Sequence, residues 1–160
     1  MVNKIFNNEG NMKVRDIMSK TPVYVTPDTD LHVVAKMMDE HKIGMIPVVD
    51  NKDNLRVTGV VTDRDIVTRC VAQQMNPLMM RAGEIMSNPV VTVHEDDSIE
   101  EAADMMSDNM IRRALVVDGM GRISGILAQA DLARNTSDKT TGEFVEKVSK
   151  PTESSSDVNR

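Results

Sequence analysis

Apolar positions along this chain fall into helix-like and strand-like periods, and the same succession of periods occurs twice. A short apolar stretch at Val23–Val25 predicts a strand. Past a polar turn, Leu31, Val34, Ala35 and Met38 fall at i, i+3, i+4 and i+7 and define one face of a helix. The run Ile46-Pro47-Val48-Val49 predicts a buried strand. An Asn- and Asp-rich turn then leads into another strand through Gly59 and a helix from near Thr62. The order returns further on. A strand at Val91–Val93 precedes a helix face of Ile99, Ala102, Ala103 and Met106, opened by the capping-box pair Ser98 and Glu101. Then come the strand Ala114-Leu115-Val116-Val117, a strand through Gly125 and a helix from near Ala128.

Each copy therefore reads β-α-β-β-α. Ile17-Met18-Ser19 falls on Ile85-Met86-Ser87, Val48-Val49-Asp50 on Val116-Val117-Asp118, Gly59 on Gly125 and Asp65 on Asp131, about 68 residues apart. Only two copies are present, which suits paired half-domains better than an open array. Neither copy holds much core alone, but two packed face to face bury their Val, Ile and Met faces. The expected fold is α/β (α+β), two half-domains related by a pseudo-twofold axis. The expected division is a flexible N-terminus 1–11, a first repeat 12–72, a connector 73–83 in which Pro77 interrupts any helix, and a second repeat 84–135. A polar tail follows over 136–160, with one short helix predicted at 142–150.

Composition narrows the picture. Two Phe, one Tyr and no Trp leave the core to aliphatic residues and Met, and the fourteen Met read as fillers of irregular gaps. A net charge of −6 argues against broad nucleic-acid binding, which depends on neutralising phosphates. Cys70 is the only cysteine, so no intramolecular disulfide forms. With no apolar leader and no membrane-length apolar stretch, a reducing cytoplasm is the expected location, away from membranes. His32, His41 and His94 have no metal-ligand spacing with Cys70, so no metal is expected. No nucleophile–base set is legible, and the chain is not expected to be an enzyme.

Asp16-Ile17-Met18, Ile46-Pro47-Val48-Val49-Asp50 and Gly59-Val60-Val61-Thr62-Asp63-Arg64-Asp65 carry a resemblance as a repeated set. Over roughly residues 12–135 the chain resembles a tandem pair of cystathionine-β-synthase (CBS) domains, in particular small stand-alone bacterial or archaeal pairs related to hypoxic response proteins. The resemblance implies a disc-like homodimer whose clefts between half-domains hold adenosyl compounds: AMP, ADP, ATP or S-adenosylmethionine. It implies no required cofactor and leaves room for a protein partner. In it, Asp65 accepts hydrogen bonds from ribose hydroxyls and Thr62 offers its hydroxyl to a phosphate. Arg112 and Arg113 point toward phosphates, with Arg64 and Arg69 weaker candidates. Thr21, Pro22, Val23, Ile46 and Pro47 form the adenine-side wall.

The local chemistry supports a second reading of the same residues. Thr62-x-x-Asp65 is also a capping-box signature. The second copy keeps Asp131 but places Ala128 where Thr62 stands, and Leu115 where Pro47 stands. A carboxylate retained without its capping hydroxyl points to another task, although an acid in a first helical turn is favourable in any case. The expectation is one competent cleft around Asp65 and a degenerate one around Asp131. Two functions follow: a regulatory module that senses an adenosyl ligand, or a structural, protein-interacting pair with empty clefts.

Overall fold

The computed structural model describes residues 12–20 and 23–136. The tail helix expected at 142–150, and Thr21 and Pro22, lie outside the described residues. Strands β1 (Ser19–Lys20), β2 (Met45–Val49), β3 (Val57–Thr62), β4 (Thr92–His94), β5 (Arg113–Val117) and β6 (Ile123–Ala128) form two sheets. One has the order β1-β6-β5-β4, antiparallel except for β4 with β5. The other is the antiparallel pair β2-β3, extended by single bridges from Val25 to Val48 and from Ser87 to Val60. The two sheets thus share one plan, and the expected α/β pair of half-domains is what the chain forms.

The strand expected at Val23–Val25 is reduced to the single bridge at Val25, whereas its counterpart β4 is a three-residue ladder on Leu115, Val116 and Val117. Pro47 supplies the reason. It sits in mid-strand, opposite Val60, not at the start of the strand. Val60 spends its own N–H and carbonyl on Ser87, at 3.1 and 2.9 Å. The donor that proline lacks is therefore missing on the Val25 side. Only Val25 N–H to the Pro47 carbonyl (3.0 Å) and Val49 N–H to the Val25 carbonyl (2.9 Å) remain there. Leu115, at the equivalent position, has its N–H, and the ladder is longer.

The helices are α1 (Val14–Ile17), α2 (Leu31–His41), α3 (Asp63–Asp65, continuing as a π-helical segment over Ile66–Val71), α4 (Ala82–Ile85), α5 (Ile99–Asp108) and α6 (Gln129–Asn135). The periodic face of α5 is buried at Ile99, Ala102, Ala103 and Met106, and that of α2 at Leu31, Val34 and Met38, but Ala35, expected on the same face, is exposed. Pro77 opens a 3-10 turn, Pro77–Met79, capped by the Asn76 side chain. The methionines divide. Met38, Met80 and Met106 fill cores, while Met75, Met79, Met110 and Met120 are exposed.

The two short helices α1 and α4 are exchanged between the halves. Val14, with Met12, Ile17 and Met18 around it, packs in the core of the second repeat against Val93, Ile99, Met106 and Leu132. Met80, Ala82 and Ile85, with Met86, pack in the core of the first against Leu31, Val34, Ile46 and Val61. Bridges Lys13–Ser98 and Asp30–Arg81 mark the same crossing. Each segment runs on along the last strand of the half that it has entered: Ser19 pairs with Ile126, and Ser87 with Val60.

The repeated glycines make that crossing close. A Cβ on Gly125 would lie 2.6 Å from both the Ser19 carbonyl and the Met18 Sδ. One on Gly59 would lie 2.6 Å from the Met86 Sδ and 3.1 Å from the Ser87 carbonyl. A third apolar cluster, Val49, Leu115 and Ile123 with Tyr24 and Leu55 packed on it, joins the two sheets.

Candidate functional site

The exchange decides which residues meet. A cleft of about 370 Å³ opens between the halves. Ser19, Lys20 and Val23 form one side, the turn from His41 to Met45 another, and Arg113, Ile126, Ala128 and Asp131 of the second repeat the third. Because β1 lies on β6, the segment leading into the first repeat faces Asp131 and not Asp65. Val23 therefore lines a cleft with Asp131, which the expected grouping around Asp65 did not provide.

Ile46 does not line this cleft. It is fully buried in the first-repeat core, and Pro47 beside it is buried in mid-sheet. Alternation along β2 explains this: Ile46 points into the core, and the neighbouring Met45 is left to reach the cleft. Ile43 and Gly44 complete that wall. Arg113 lines the cleft, while Arg112 and Arg113 together line an adjoining hollow of about 400 Å³ with Gln129 and Ala133. Among the described residues neither arginine forms an ion pair. Arg64 is exposed at the start of α3, its N–H bonded to Asp63 Oδ1 at 2.7 Å.

Thr62 and Asp65 form the complete capping box that their spacing suggested. Asp65 N–H donates to Thr62 Oγ1 at 3.1 Å, and Thr62 N–H donates to Asp65 Oδ2 at 2.9 Å. Arg69 lies 3.7 Å from the Asp65 carboxylate and donates to the Ile85 carbonyl at 2.9 Å, tying α3 to α4. Asp131 makes half of the same box. Its Oδ2 accepts the Ala128 N–H at 2.9 Å, and Ala128 has no oxygen to return the bond. Retention of Asp131 without a threonine is thus explained at the helix start, because the acid needs only the backbone N–H. Asp16 on Lys13, Glu84 on Arg81 and Glu101 on Ser98 do likewise. What sets Asp131 apart is its place in a cleft wall; its Oδ1, free of the cap, lies 3.7 Å from the exposed Arg134 guanidinium.

Charge around the cleft is uneven. Lys20, Lys42 and Arg113 bring cationic groups, and Asp131 is its acid. Lys42 also pairs with Asp39 at 3.0 Å on the exposed end of α2. Lys20, His41, Lys42 and Ile43 were not singled out from sequence. For His41 and Lys42 the signal was the basic end of a periodic helix, which reads equally well as a helix terminus; Lys20 in β1 and Ile43 beyond the helix left none. Among the described residues no three His, Cys, Asp or Glu side chains converge as a metal site, and no helix is long and apolar enough to cross a membrane.

Two interleaved β-α-β-β-α halves with a cleft at their junction define a tandem-repeat pair. The chain belongs to the CBS domain family, whose model matches residues 14–72 and 82–138. It is 33% identical over 137 residues to hypoxic response protein 1 of Mycobacterium tuberculosis, covering 86% of this chain and 94% of that one. It is 37% identical over 123 residues to an uncharacterized protein of Methanopyrus kandleri, 77% of this chain but only 59% of that relative's length. Among solved structures, hypoxic response protein I with two coordinated zinc ions superposes with a TM-score of 0.70 at 33% identity, over 78% of this chain and 99% of that one. A CBS domain pair in complex with 5′-methylthioadenosine and S-adenosyl-L-methionine gives 0.66 at 32%, over 77% and 94%. A further CBS protein in complex with AMP gives 0.64 at 26%, over 76% and 93%.

Proposed function

We propose that this protein is a cytoplasmic regulatory module that binds an adenine nucleotide or other adenosyl compound in the cleft around Asp131. The observation that carries the reading is the convergence on one cleft of a carboxylate, an apolar wall and cationic groups, contributed by both halves. Asp131 suits a ribose diol, since an ionised carboxylate offers two acceptor oxygens. Val23, Ile43 and Met45 suit the face of a base. Arg113 and Lys20 suit a phosphate. The solved relatives with AMP and with adenosyl compounds support the ligand class. Occupancy would bias the angle between halves, or between copies in a homodimer, by the difference in ligand affinity for the two arrangements.

The test is calorimetric titration of AMP, ADP, ATP and S-adenosylmethionine into ligand-free protein, with three matched variants. Asp131→Asn is expected to weaken the bound member about tenfold or more, because a charge-assisted hydrogen bond is worth about 1.5–3 kcal/mol. Asp16→Asn removes the same kind of helix cap away from the cleft and should leave affinity unchanged. Equal losses in these two would reduce Asp131 to a cap. A loss confined to Asp65→Asn would move the site to the pseudo-symmetric position. A second reading, an interaction module with empty clefts, is favoured by the exposed apolar side chains Val67, Val71, Leu78 and Met79. It wins if no compound binds and mass spectrometry of denatured protein finds no co-purified adenosyl ligand.

A further inference from the structure

The two β-hairpins meet at the end of the sheets away from the Asp131 cleft. Arg113 pairs with Ala128 at the cleft end of β5 and β6, and Val117 with Ile123 at the other, about 13 Å along the strand. There Arg56 bridges Arg122, Val57 N–H donates to the Gly121 carbonyl at 3.2 Å, and Ile123 N–H donates to the Leu55 carbonyl at 2.8 Å. The backbone is symmetric here, and the side chains are not. In one half Tyr24 and Leu55 fill the space against Val49, Leu115 and Ile123. Thr92 and Gly121 stand at the equivalent positions of the other half. Leu55 and Gly121 even share the left-handed turn conformation, φ 57° and 77°. The volume that Tyr and Leu would take is open, as a cavity of about 310 Å³ lined by Arg56, Thr58, Val90, Thr92, Val117 and Gly121 among others.

The arginines differ as well. Arg122 Nε is 2.7 Å from Asp118 Oδ2. The matching acid, Asp50, is taken up by the Asn51 N–H, the Arg56 N–H and the Asn54 amide, and among the described residues the Arg56 guanidinium forms no ion pair. A cavity at the lower end of small-molecule pocket size, with an apolar wall, two threonines and one arginine whose guanidinium is near Asp50 but forms no ion pair, has the composition of an anion-selective site. We propose that it is a second ligand site, separate from the Asp131 cleft, for a small organic anion: a compact apolar body bearing one carboxylate or phosphate-monoester group paired with Arg56. This does not depend on the adenosyl reading.

Benzoate is the probe, titrated into ¹⁵N-labelled full-length protein. The expected result is saturable shifts confined to the amides around Arg56, Thr58, Thr92 and Gly121, with an affinity of about millimolar for so small a ligand. Benzyl alcohol, which keeps the ring and drops the charge, should not saturate. Arg56→Gln should weaken benzoate about tenfold. Thr92→Tyr copies the residue that the other half already accommodates, so it should leave the melt intact and abolish the shifts. Shifts that are scattered or unsaturable overturn the site. So do shifts unchanged in Arg56→Gln, and so does equal binding of benzyl alcohol. Shifts that survive in a folded Thr92→Tyr overturn the cavity as their location. Should Thr92→Tyr fail to fold, Arg56→Gln and benzyl alcohol decide the matter on their own.

Discussion

Replacing Gly125 with alanine tests how the halves are joined. The new Cβ would sit 2.6 Å from the Ser19 carbonyl oxygen, with Met18 Sδ at 2.6 Å and Met18 Cγ at 3.0 Å. Ordinary contact begins near 3.4 Å, so close to an ångström of overlap must be relieved. A methionine side chain can swing aside, but the Ser19 carbonyl is backbone, and moving it lifts β1 off β6. Overpacking of this kind costs about 2–3 kcal/mol. Alanine recovers about 0.4–1 kcal/mol by restricting the unfolded chain. The net loss is about 2 kcal/mol, or about 4–8 °C in melting temperature for a chain of this size. Gly59→Ala is the matched control. Its tightest contact is the flexible Met86 Sδ, with the Ser87 carbonyl at 3.1 Å, so its net cost should stay below about 1 kcal/mol. Thermal melts by circular dichroism and urea titrations of both variants measure the difference. Ser19 and Lys20 also line the cleft, so Gly125→Ala should weaken any ligand bound there as well. Equal melting temperatures for the two variants, or a larger fall for Gly59→Ala, would refute the account of the crossing.

Three further outcomes follow from local geometry. Ala128→Thr completes the capping box that Asp131 half makes and should stabilise the fold by about 0.5–1 kcal/mol in urea, while a bulkier wall narrows the cleft. Desolvation pushes the Asp118 carboxyl up, but hydrogen bonds from the Arg122 N–H and guanidinium and the Met120 N–H outweigh it and hold it below the usual carboxylate range. Asp50 is held low in the same way, desolvation being outweighed by Asn51, Asn54 and Arg56. A depressed folded pKa gives stability that is present above the unfolded value and lost as pH falls below about 4. The urea midpoint should therefore drop on acidification there, and drop less in Asp118→Asn. Finally, the apolar side chains of Val67, Val71, Leu78 and Met79, exposed at 56–80%, should be covered in a homodimer; light scattering is expected to give twice the chain mass, and Val71→Glu with Met79→Glu to return it to one.

Periodicity made α2, α5 and the hairpin strands legible, because burial of one face writes itself into the spacing of Leu31, Val34 and Met38 or Ile99, Ala102 and Met106. The helices α1 and α4 left no such trace. Four residues complete barely one turn, and their sign is only an acid three places after an extended residue, as in Asp16 and Glu84. Nothing local announces that Val14 belongs to the core containing Met106 and not to the one containing Met38. The cleft inherited that blindness. Asp131, Val23 and Arg113 were each visible as candidates, but their meeting depends on β1 crossing to β6, a contact between Ser19 and Ile126 that no window of sequence contains. Ile46 was misplaced for a simpler reason: in a strand buried on both sides, an unbroken apolar run does not say which face looks at the core. Asp131 also carried a false clue, since an acid that reaches a backbone N–H needs no threonine.

The exchange of leaders sets a direction for synthesis. The first half's core is closed by Met80, Ala82 and Ile85, which leave the ribosome directly after that half is made. The second half's core waits for Val14, which is made before any other part of that core. Val14 and its neighbours therefore reach that core only when Leu127 and Leu132 have emerged to receive them. A chain that folds from its N-terminus onward thus completes one core promptly and finishes the other by capturing a segment made ahead of both.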